Sequence, residues 1–318
     1  IHTAAKAWRS GKRFVLVSSG SVALGARDLG FDLNSRVLKT EEKQACAAIG
    51  QSQLMSYYHE QFDRENLKVA QVLLSSDDFR IRERFLNLQK TFDQLLSWGV
   101  LPVVNENDSV STAELGTLNF AKKSFGDNDQ LAALLASKIN ADLLILLGHT
   151  KAIYDRDPSH AEAILMKEIK DIHQFELKNE DSLGDSPMGR GGVKSKLLAA
   201  RACALCGIPS IIASGQDESD LKSILNGKPP GTYVHASGDV NMKKRWIGLS
   251  SGFEGVYVVN QGAAEALVNR NASLLPVGIV KVKGEFSQGV VVSLEDEAGN
   301  ELGSCLLYTS DAADDRMR

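Results

Sequence analysis

The sequence predicts an α/β fold with a mostly parallel sheet, followed by a small β-rich domain, and two observations lead to the first part of this prediction. Apolar runs without polar alternation, typical of strands buried on both faces, fall at residues 13–18, 69–74, 100–104, 143–147 and 209–213. Helical apolar spacing occupies the intervals between them, at residues 41–62, 85–98, 129–139 and 194–206. Repetition of strand, helix and strand favours parallel pairing with helices on both faces of the sheet.

The third observation is a change of character after the last of these strands. Glycines and prolines break any periodicity at residues 226–244, which predicts a linker. Short apolar runs punctuated by glycine follow at residues 255–259, 278–282 and 289–294, a pattern typical of a small β-rich domain. The predicted organisation is a first domain at 1–227, a linker at 228–242, a β-rich domain at 243–303 and an atypical polar tail at 304–318.

Length and composition indicate a globular protein of this size. The chain has 318 residues, 43% of them hydrophobic and 24% charged, which is enough for two domains. With 36 basic and 40 acidic residues the formal net charge is -4, so bulk binding to nucleic acid is not indicated. Because no apolar run approaches the roughly 20 residues of a membrane helix and the first residues lack a signal-peptide pattern, we expect a cytoplasmic protein.

Cysteine spacing argues against a zinc site. Cys203 and Cys206 form one C-x-x-C pair inside an apolar helical pattern, and no second pair accompanies it. We therefore expect buried thiols rather than metal or redox chemistry.

Polar clusters follow the predicted strands at their carboxyl ends, where open parallel sheets bind ligands. Ser18-Ser19-Gly20 follows the first strand, and Asn105-Glu106-Asn107-Asp108 follows the third. We expect the latter group to face a cleft, because four polar side chains are expensive to bury. Gly126-Asp127-Asn128-Asp129 begins a helix, and capping explains only one of its acidic residues. The two larger clusters suit an ammonium group or a metal held through oxygens, with a structural loop network as the alternative.

A glycine-rich loop, Gly189-Arg190-Gly191-Gly192-Val193-Lys194-Ser195-Lys196, comes directly before a predicted helix. Glycines at a helix start let backbone N–H groups approach a phosphate, and Lys196 adds positive charge. The pattern differs from the P-loop motif of Walker-type nucleotide-binding proteins. Taken by itself it fits a phosphate site and a structural turn equally well.

In this order along the chain, six motifs together resemble bacterial glutamate 5-kinase. They are the Ser18-Ser19-Gly20 turn, residues 43–51, 82–87, 105–108 and 126–129, and the glycine-rich loop. The resemblance covers most of the chain, from about Arg13 to Gly303. The last domain, which opens with Lys243-Lys244-Arg245-Trp246-Ile247, resembles the PUA domain that many bacterial members carry.

The resemblance implies a three-layer α/β/α sandwich of the amino-acid kinase type. It also implies ATP with Mg²⁺ as phosphoryl donor, L-glutamate as acceptor and L-glutamyl 5-phosphate as product, in the first step of proline biosynthesis. Family members are commonly inhibited by proline and form homo-oligomers. Whether the PUA-like domain binds RNA is left open by these residues.

Site roles are likewise implied by matching motifs. Ser19, Asp108 and Asn128 would contact glutamate, Asp129 would orient catalytic lysines, and Lys196 would stabilise the transferring phosphoryl group. No resident metal ligand is assigned. The residues expected to hold ATP are Gly148, His149, Arg190, Gly191, Gly192, Val193, Lys194, Ser195 and Lys196.

Three departures from the family pattern qualify these expectations. The family begins with a strand and a lysine-bearing turn, whereas this sequence starts at Ile1 within the following helix, and a PUA domain should continue past Gly303. We therefore expect a chain truncated at both ends. Gly148-His149 replaces a Thr-Asp pair of the family, so an altered nucleotide pocket is expected. The alternatives are an amino-acid kinase with another acceptor, or a non-catalytic regulatory or RNA-binding remnant.

Overall fold

The structure is a computed structural model, and it describes residues 1–33, 35–75, 78–79, 81–110, 128–156, 160, 162–172, 175, 192–237, 255–270, 272–284 and 291–306. The elements before residue 235 are α1 (His2–Arg9), β1 (Leu16–Val17), α2 (Ser21–Asp28), α3 (Thr40–Asp63), β2 (Val69–Leu74), α4 (Arg82–Ser97), β3 (Leu101–Glu106), α5 (Asn128–Lys138), β4 (Leu144–Gly148), β5 (Glu168–Ile169), α6 (Val193–Leu205), β6 (Ser210–Ser214), α7 (Glu218–Leu225) and β7 (Thr232–Val234). The later elements are β8 (Val256–Val259), α8 (Gln261–Arg270), a 3₁₀ helix (Pro276–Gly278), β9 (Ile279–Lys283), β10 (Val291–Asp296) and β11 (Glu301–Leu306).

The first sheet is parallel and has the order β1-β3-β2. Its central strand β3 is the most buried of the three, and Leu101, Val103 and Val104 are each at most 2% exposed. Burial on both faces explains why this strand reads as an unbroken apolar run. The β2–β3 register runs from Val69 opposite Leu101 to Leu74 opposite Glu106. The two strands therefore end together, and the polar residues that follow β3 lie at that edge.

The second sheet has the order β4-β6-β7-β5 and is parallel except between β6 and β7. Strand β7 lies within the segment that the glycines and prolines predicted to be a linker. Gly231 permits this strand to form, because a Cβ there would collide with the carbonyl oxygen of Ile212. Thr232 is fully buried, accepts a hydrogen bond from Ile153 N at 2.8 Å and donates one to Met166 O at 2.7 Å.

One hydrophobic core joins the two sheets through α5. This helix contacts β1 and β3 of the first sheet and β4 of the second. Leu131, Leu134 and Leu135 of α5 are at most 3% exposed and belong to the same core cluster as Val104 and Ile212. These contacts hold α5 against both sheets, and Asn128 at its amino terminus contacts Asn105 near the carboxyl end of β3.

Helices α2 and α3 are packed with their backbones in contact. A Cβ on Gly25 would collide with Cys46 O, and a Cβ on Gly50 would collide with Ser21 O. Only glycine permits helices to approach this closely. The contact holds the start of α2, and therefore the turn that follows β1, against the middle of α3.

The last part of the described chain forms a separate four-stranded sheet of order β11-β10-β8-β9. The outer pairs are antiparallel and the central pair, β8 with β10, is parallel. This confirms the prediction of a small β-rich unit. Helix α8, which the sequence did not predict, has no buried residue among those described in it. Within the part of the chain that the structure describes, no helix has the length and hydropathy needed to cross a membrane.

Candidate active site

A buried ion pair between α5 and α6 forms the centre of the site. Lys196 Nζ donates to both carboxylate oxygens of Asp129, at 2.9 and 2.8 Å. The two side chains are only 6% and 13% exposed, respectively. Asp129 lies in the first turn of α5 and Lys196 in the first turn of α6, so packing of these two helices brings the charges together. Low exposure strengthens the attraction, and the two-oxygen contact holds the ammonium group in one position.

The side chain of Lys196 passes directly over Gly148, at the carboxyl end of β4. A Cβ on Gly148 would lie 2.5 Å from Lys196 Cε, closer than two carbon atoms can approach without bonding. The structure therefore places Gly148 against the stem of Lys196. Its neighbour His149 is exposed, with its Nδ1 3.1 Å from Nε2 of Gln216 on the adjacent strand end.

A network of hydrogen-bonded polar side chains lies beside the ion pair. Asn128, next to Asp129, donates from Nδ2 to Asn105 Oδ1 at 3.1 Å. Asn105 Nδ2 donates to Gln51 Oε1 at 3.0 Å and to Ser21 Oγ at 3.4 Å. Ser21 Oγ donates to Asp108 Oδ2 at 3.2 Å. The network thus joins Asn128 and Asp108, two of the three residues predicted to contact the acceptor.

The prediction that residues 105–108 all face a cleft is wrong for Asn105, which is 3% exposed. Burial is tolerated because Gln51, Ser21 and Asn128 supply partners for both ends of the amide. Sequence reasoning did not predict these roles for Gln51 and Ser21. Gln51 ends the motif at residues 43–51, to which no contact was assigned, and Ser21 directly follows the Ser18-Ser19-Gly20 turn.

Ser19, the third predicted acceptor contact, is exposed in the turn between β1 and α2. Gly20 has φ of 115° in this turn, a conformation that favours glycine. The preceding Ser18 is anchored twice. Its backbone N–H donates to Val104 O at 2.9 Å, and its Oγ lies 2.7 Å from the hydroxyl of Tyr58.

The glycine-rich loop is described only from Gly192, which caps the amino terminus of α6. Val193 packs against the core that joins the sheets, so only its backbone is available to a ligand. Lys194 is exposed, and the shielded Ser195 Oγ has no hydrogen-bond partner among the described residues. Arg190 and Gly191, together with Gly126 and Asp127 of the earlier cluster, lie outside the described residues.

Three of the cysteines lie in the hydrophobic interior. Cys46, Cys203 and Cys206 are buried thiols, as predicted for the C-x-x-C pair. Among the described residues, no group of three or more His, Cys, Asp or Glu side chains is placed to hold a metal ion.

Comparison with known proteins identifies the family of this chain. The amino acid kinase family matches residues 1–214, and the PUA domain matches residues 255–312. A protein named glutamate 5-kinase from Meiothermus ruber is 41% identical over 95% of this chain and 78% of its own length. The chain belongs to the glutamate 5-kinase family. Other glutamate 5-kinases are similar to it, including those of Thermus thermophilus (41% identity, 92% of this chain, 76% of the relative) and Methylococcus capsulatus (40%, 96% and 79%).

A solved structure supports the fold of this glutamate 5-kinase family member independently. Carbamate kinase from Giardia lamblia bound to AMP-PNP is 20% identical, with a TM-score of 0.50, and the match covers 74% of this chain and 87% of that one. The predicted amino-acid kinase fold with a PUA domain is therefore confirmed. The relatives do not favour the alternatives of another acceptor or a non-catalytic remnant.

Proposed function

We propose that this chain transfers the γ-phosphoryl group of ATP to the side-chain carboxylate of L-glutamate and releases L-glutamyl 5-phosphate, the first intermediate of proline biosynthesis. The observation that carries the proposal is the buried Lys196–Asp129 pair beside the network that contains Asn128 and Asp108. Membership of the glutamate 5-kinase family supports glutamate as the acceptor.

The donor side of the proposed site is the amino terminus of α6. First-turn N–H groups of a helix lack partners within the helix and favour an anion, and the cap residue Gly192 has no side chain that could occupy them. Lys194, Ser195 and, from the loop, Arg190 and Gly191 would contact the ATP phosphates. Gly148 and His149 would contact ATP from the neighbouring strand end. Mg²⁺ would arrive as part of the MgATP substrate, held mainly by phosphate oxygens.

On the acceptor side, the charges of the side chains indicate which groups of glutamate they would hold. Asp108 suits the ammonium group of glutamate, and one of its oxygens is already held by Ser21. Asn128 and Asp129 both lie in the first turn of α5, so a glutamate bound to Asn128 would lie near the Lys196–Asp129 pair. The hydroxyl of Ser19 and the start of α2 suit the α-carboxylate.

The chemistry then requires positioning and charge neutralisation. An oxygen of the glutamate side chain forms a bond to the γ-phosphorus while the bond from that phosphorus to the bridging β-γ oxygen breaks, and ADP leaves. A carboxylate is already ionised and needs no general base. Lys196 would stabilise the charge on the transferring group, and Asp129 would hold Lys196 in position.

The test is glutamate-dependent formation of an acyl phosphate, trapped as the hydroxamate, with MgATP as donor. Lys196→Met should lower kcat at least about 100-fold, whereas Lys222→Met, at an exposed lysine of α7, should leave it unchanged. A folded protein that forms no hydroxamate with glutamate would overturn the proposal. Equal turnover with aspartate or acetylglutamate would contradict glutamate as the specific acceptor.

Further properties are proposed on family membership alone. They are assembly into a homo-oligomer, inhibition by proline, a cytoplasmic location and division into a kinase domain and a PUA domain joined after β7. Sedimentation analysis tests the first. A proline-dependent rise in the glutamate concentration needed for half-maximal rate tests the second.

A further inference from the structure

Asn105 lies near the carboxyl end of β3 and contacts three helices at once. Its side chain touches Ser21 of α2, Gln51 of α3 and Asn128 of α5. The residue is 3% exposed, which excludes direct access to solvent. A carboxamide is suited to this position because it donates from one end and accepts at the other.

The hydrogen bonds run in a defined direction. Since Asn105 Nδ2 donates to Ser21 Oγ, the hydroxyl proton of Ser21 is directed to Asp108 Oδ2 at 3.2 Å. At the other end, Asn105 Oδ1 accepts from Asn128 Nδ2, which turns the oxygen of Asn128 away from Asn105. Asn105 therefore influences the orientation of both Asp108 and Asn128, the two residues proposed to bind the acceptor.

Gln51 defines the orientation of the Asn105 amide. Its Oε1 accepts from Asn105 Nδ2 at 3.0 Å, a shorter contact than the 3.4 Å to Ser21. If the Asn105 amide were reversed, two oxygens would face each other at the Gln51 contact. Asn128 would then face a second NH₂ group. Gln51 thus holds the amide in the orientation that both acceptor-side residues require.

We propose that Asn105 is a positioning residue for the acceptor site, which orients Asn128 directly and Asp108 through Ser21, and that Gln51 keeps it in that orientation. This inference rests on the proposed function, in which Asn128 and Asp108 bind glutamate. Asn105 itself is shielded and acts only through these neighbours.

The first test is Asn105→Asp, which preserves shape and the acceptor for Asn128 but replaces the donor with an acceptor. Ser21 then donates to the new carboxylate and releases Asp108. The KM for glutamate should rise about tenfold or more, the equivalent of one lost hydrogen bond to a charged group. The KM for ATP should change less than about twofold, and kcat at saturating glutamate should be retained within about threefold.

Two further variants separate positioning from simple stability. Gln51 is half-buried in α3. Gln51→Met should also raise the KM for glutamate, by a smaller factor than Asn105→Asp does. The double variant should resemble Asn105→Asp alone, because both changes disturb one orientation. Thr232→Val is the matched control, because Thr232 is also buried and also makes more than one hydrogen bond, but in the second sheet. This variant should lower the melting temperature without changing the KM for glutamate or for ATP.

The outcomes are distinguishable. If the parent chain shows no glutamate-dependent turnover, the proposed function fails and no positioning role remains to be assigned. If the parent is active but Asn105→Asp shifts both KM values equally, or lowers only the melting temperature as Thr232→Val does, Asn105 is structural and the inference is overturned. Independent, additive effects of Gln51→Met and Asn105→Asp would remove Gln51 from the proposal.

Discussion

The two ends of α5 each have a buried lysine nearby, and the environments of these lysines differ. At the amino terminus, Lys196 contacts both oxygens of Asp129. At the carboxyl terminus, Lys138 is 1% exposed and its ammonium lies 5.4 Å from the ring centroid of Phe85. Burial lowers the pKa of Lys138 to about 7, an effect that the nearby Cys206 opposes. Burial favours the neutral form of Lys138, whereas at the other end of α5 the carboxylate of Asp129 accepts two hydrogen bonds from Lys196.

The largest effect is expected from breaking the pair at the amino end. Asp129→Asn leaves the Lys196 ammonium buried without its carboxylate, which should lower the free energy of unfolding by about 3–5 kcal/mol. It should also lower kcat at least about 100-fold, because Lys196 is no longer held. Urea unfolding and the hydroxamate assay measure the two effects. In Asp129→Asn/Lys196→Met the stability should partly recover while activity does not, and failure to recover would contradict a charge-based cause.

Lys138, at the carboxyl end of α5, should make the stability of the protein depend on pH. Between the folded pKa of Lys138, about 7, and its unfolded value of about 10.4, the unfolded lysine holds a proton that the folded one lacks. Stability should therefore rise with pH across this window, by up to about 1.4 kcal/mol per pH unit from this group. Lys138→Met should remove that slope in urea titrations at pH 7 to 10. An unchanged slope would show that Lys138 keeps its charge in the folded protein.

Gly148→Ala disturbs the path of Lys196 without removing either charge of the ion pair. The added Cβ meets Lys196 Cε, so the lysine must shift, and we expect a loss of about 1–3 kcal/mol in stability with about a tenfold fall in kcat. Gly215→Ala is the control, since its Cβ would meet Leu147 at 3.2 Å and not the lysine. Equal losses of kcat in both variants would argue against contact with Lys196 as the cause.

The smallest effect is expected from the ring beside Lys138. Phe85→Leu removes a cation–π contact that exists only while Lys138 is protonated, at and below about pH 7. The variant should therefore be destabilised by about 0.5–1 kcal/mol more at pH 6 than at pH 9. Chemical unfolding at the two pH values provides the measurement, and a pH-independent loss would assign the whole effect to packing.

Strands and helices with strong apolar patterns were predictable. The run at residues 69–74 is strand β2 without change of bounds, and helix α3 begins and ends within one residue of its predicted limits. Strand β7 was not predicted, because three residues after a glycine-proline segment carry no periodicity and pair only with distant strands. Helix α8 was missed since it has no buried described residue to create an apolar stripe.

The site was predictable in parts. Family motifs identified Lys196 and Asp129, and the structure brings them together, although no local pattern indicates that their helices pack. The network around Asn105 was not predictable, because its partners Gln51 and Ser21 lie 54 and 84 residues away in the chain. Desolvation reasoning predicted a solvated Asn105, and it failed because such distant partners are invisible to it.

Gly25 and Gly50 would not touch a ligand, but the geometry of the site depends on them. Neither glycine is near the ion pair in the chain, yet each has the backbone of the opposing helix where a Cβ would be. Any replacement must push α2 away from α3, and Ser21 and Gln51 lie on these two helices. In a scan of all single substitutions scored by growth without an external supply of the end product, these two positions should be as intolerant as the site itself.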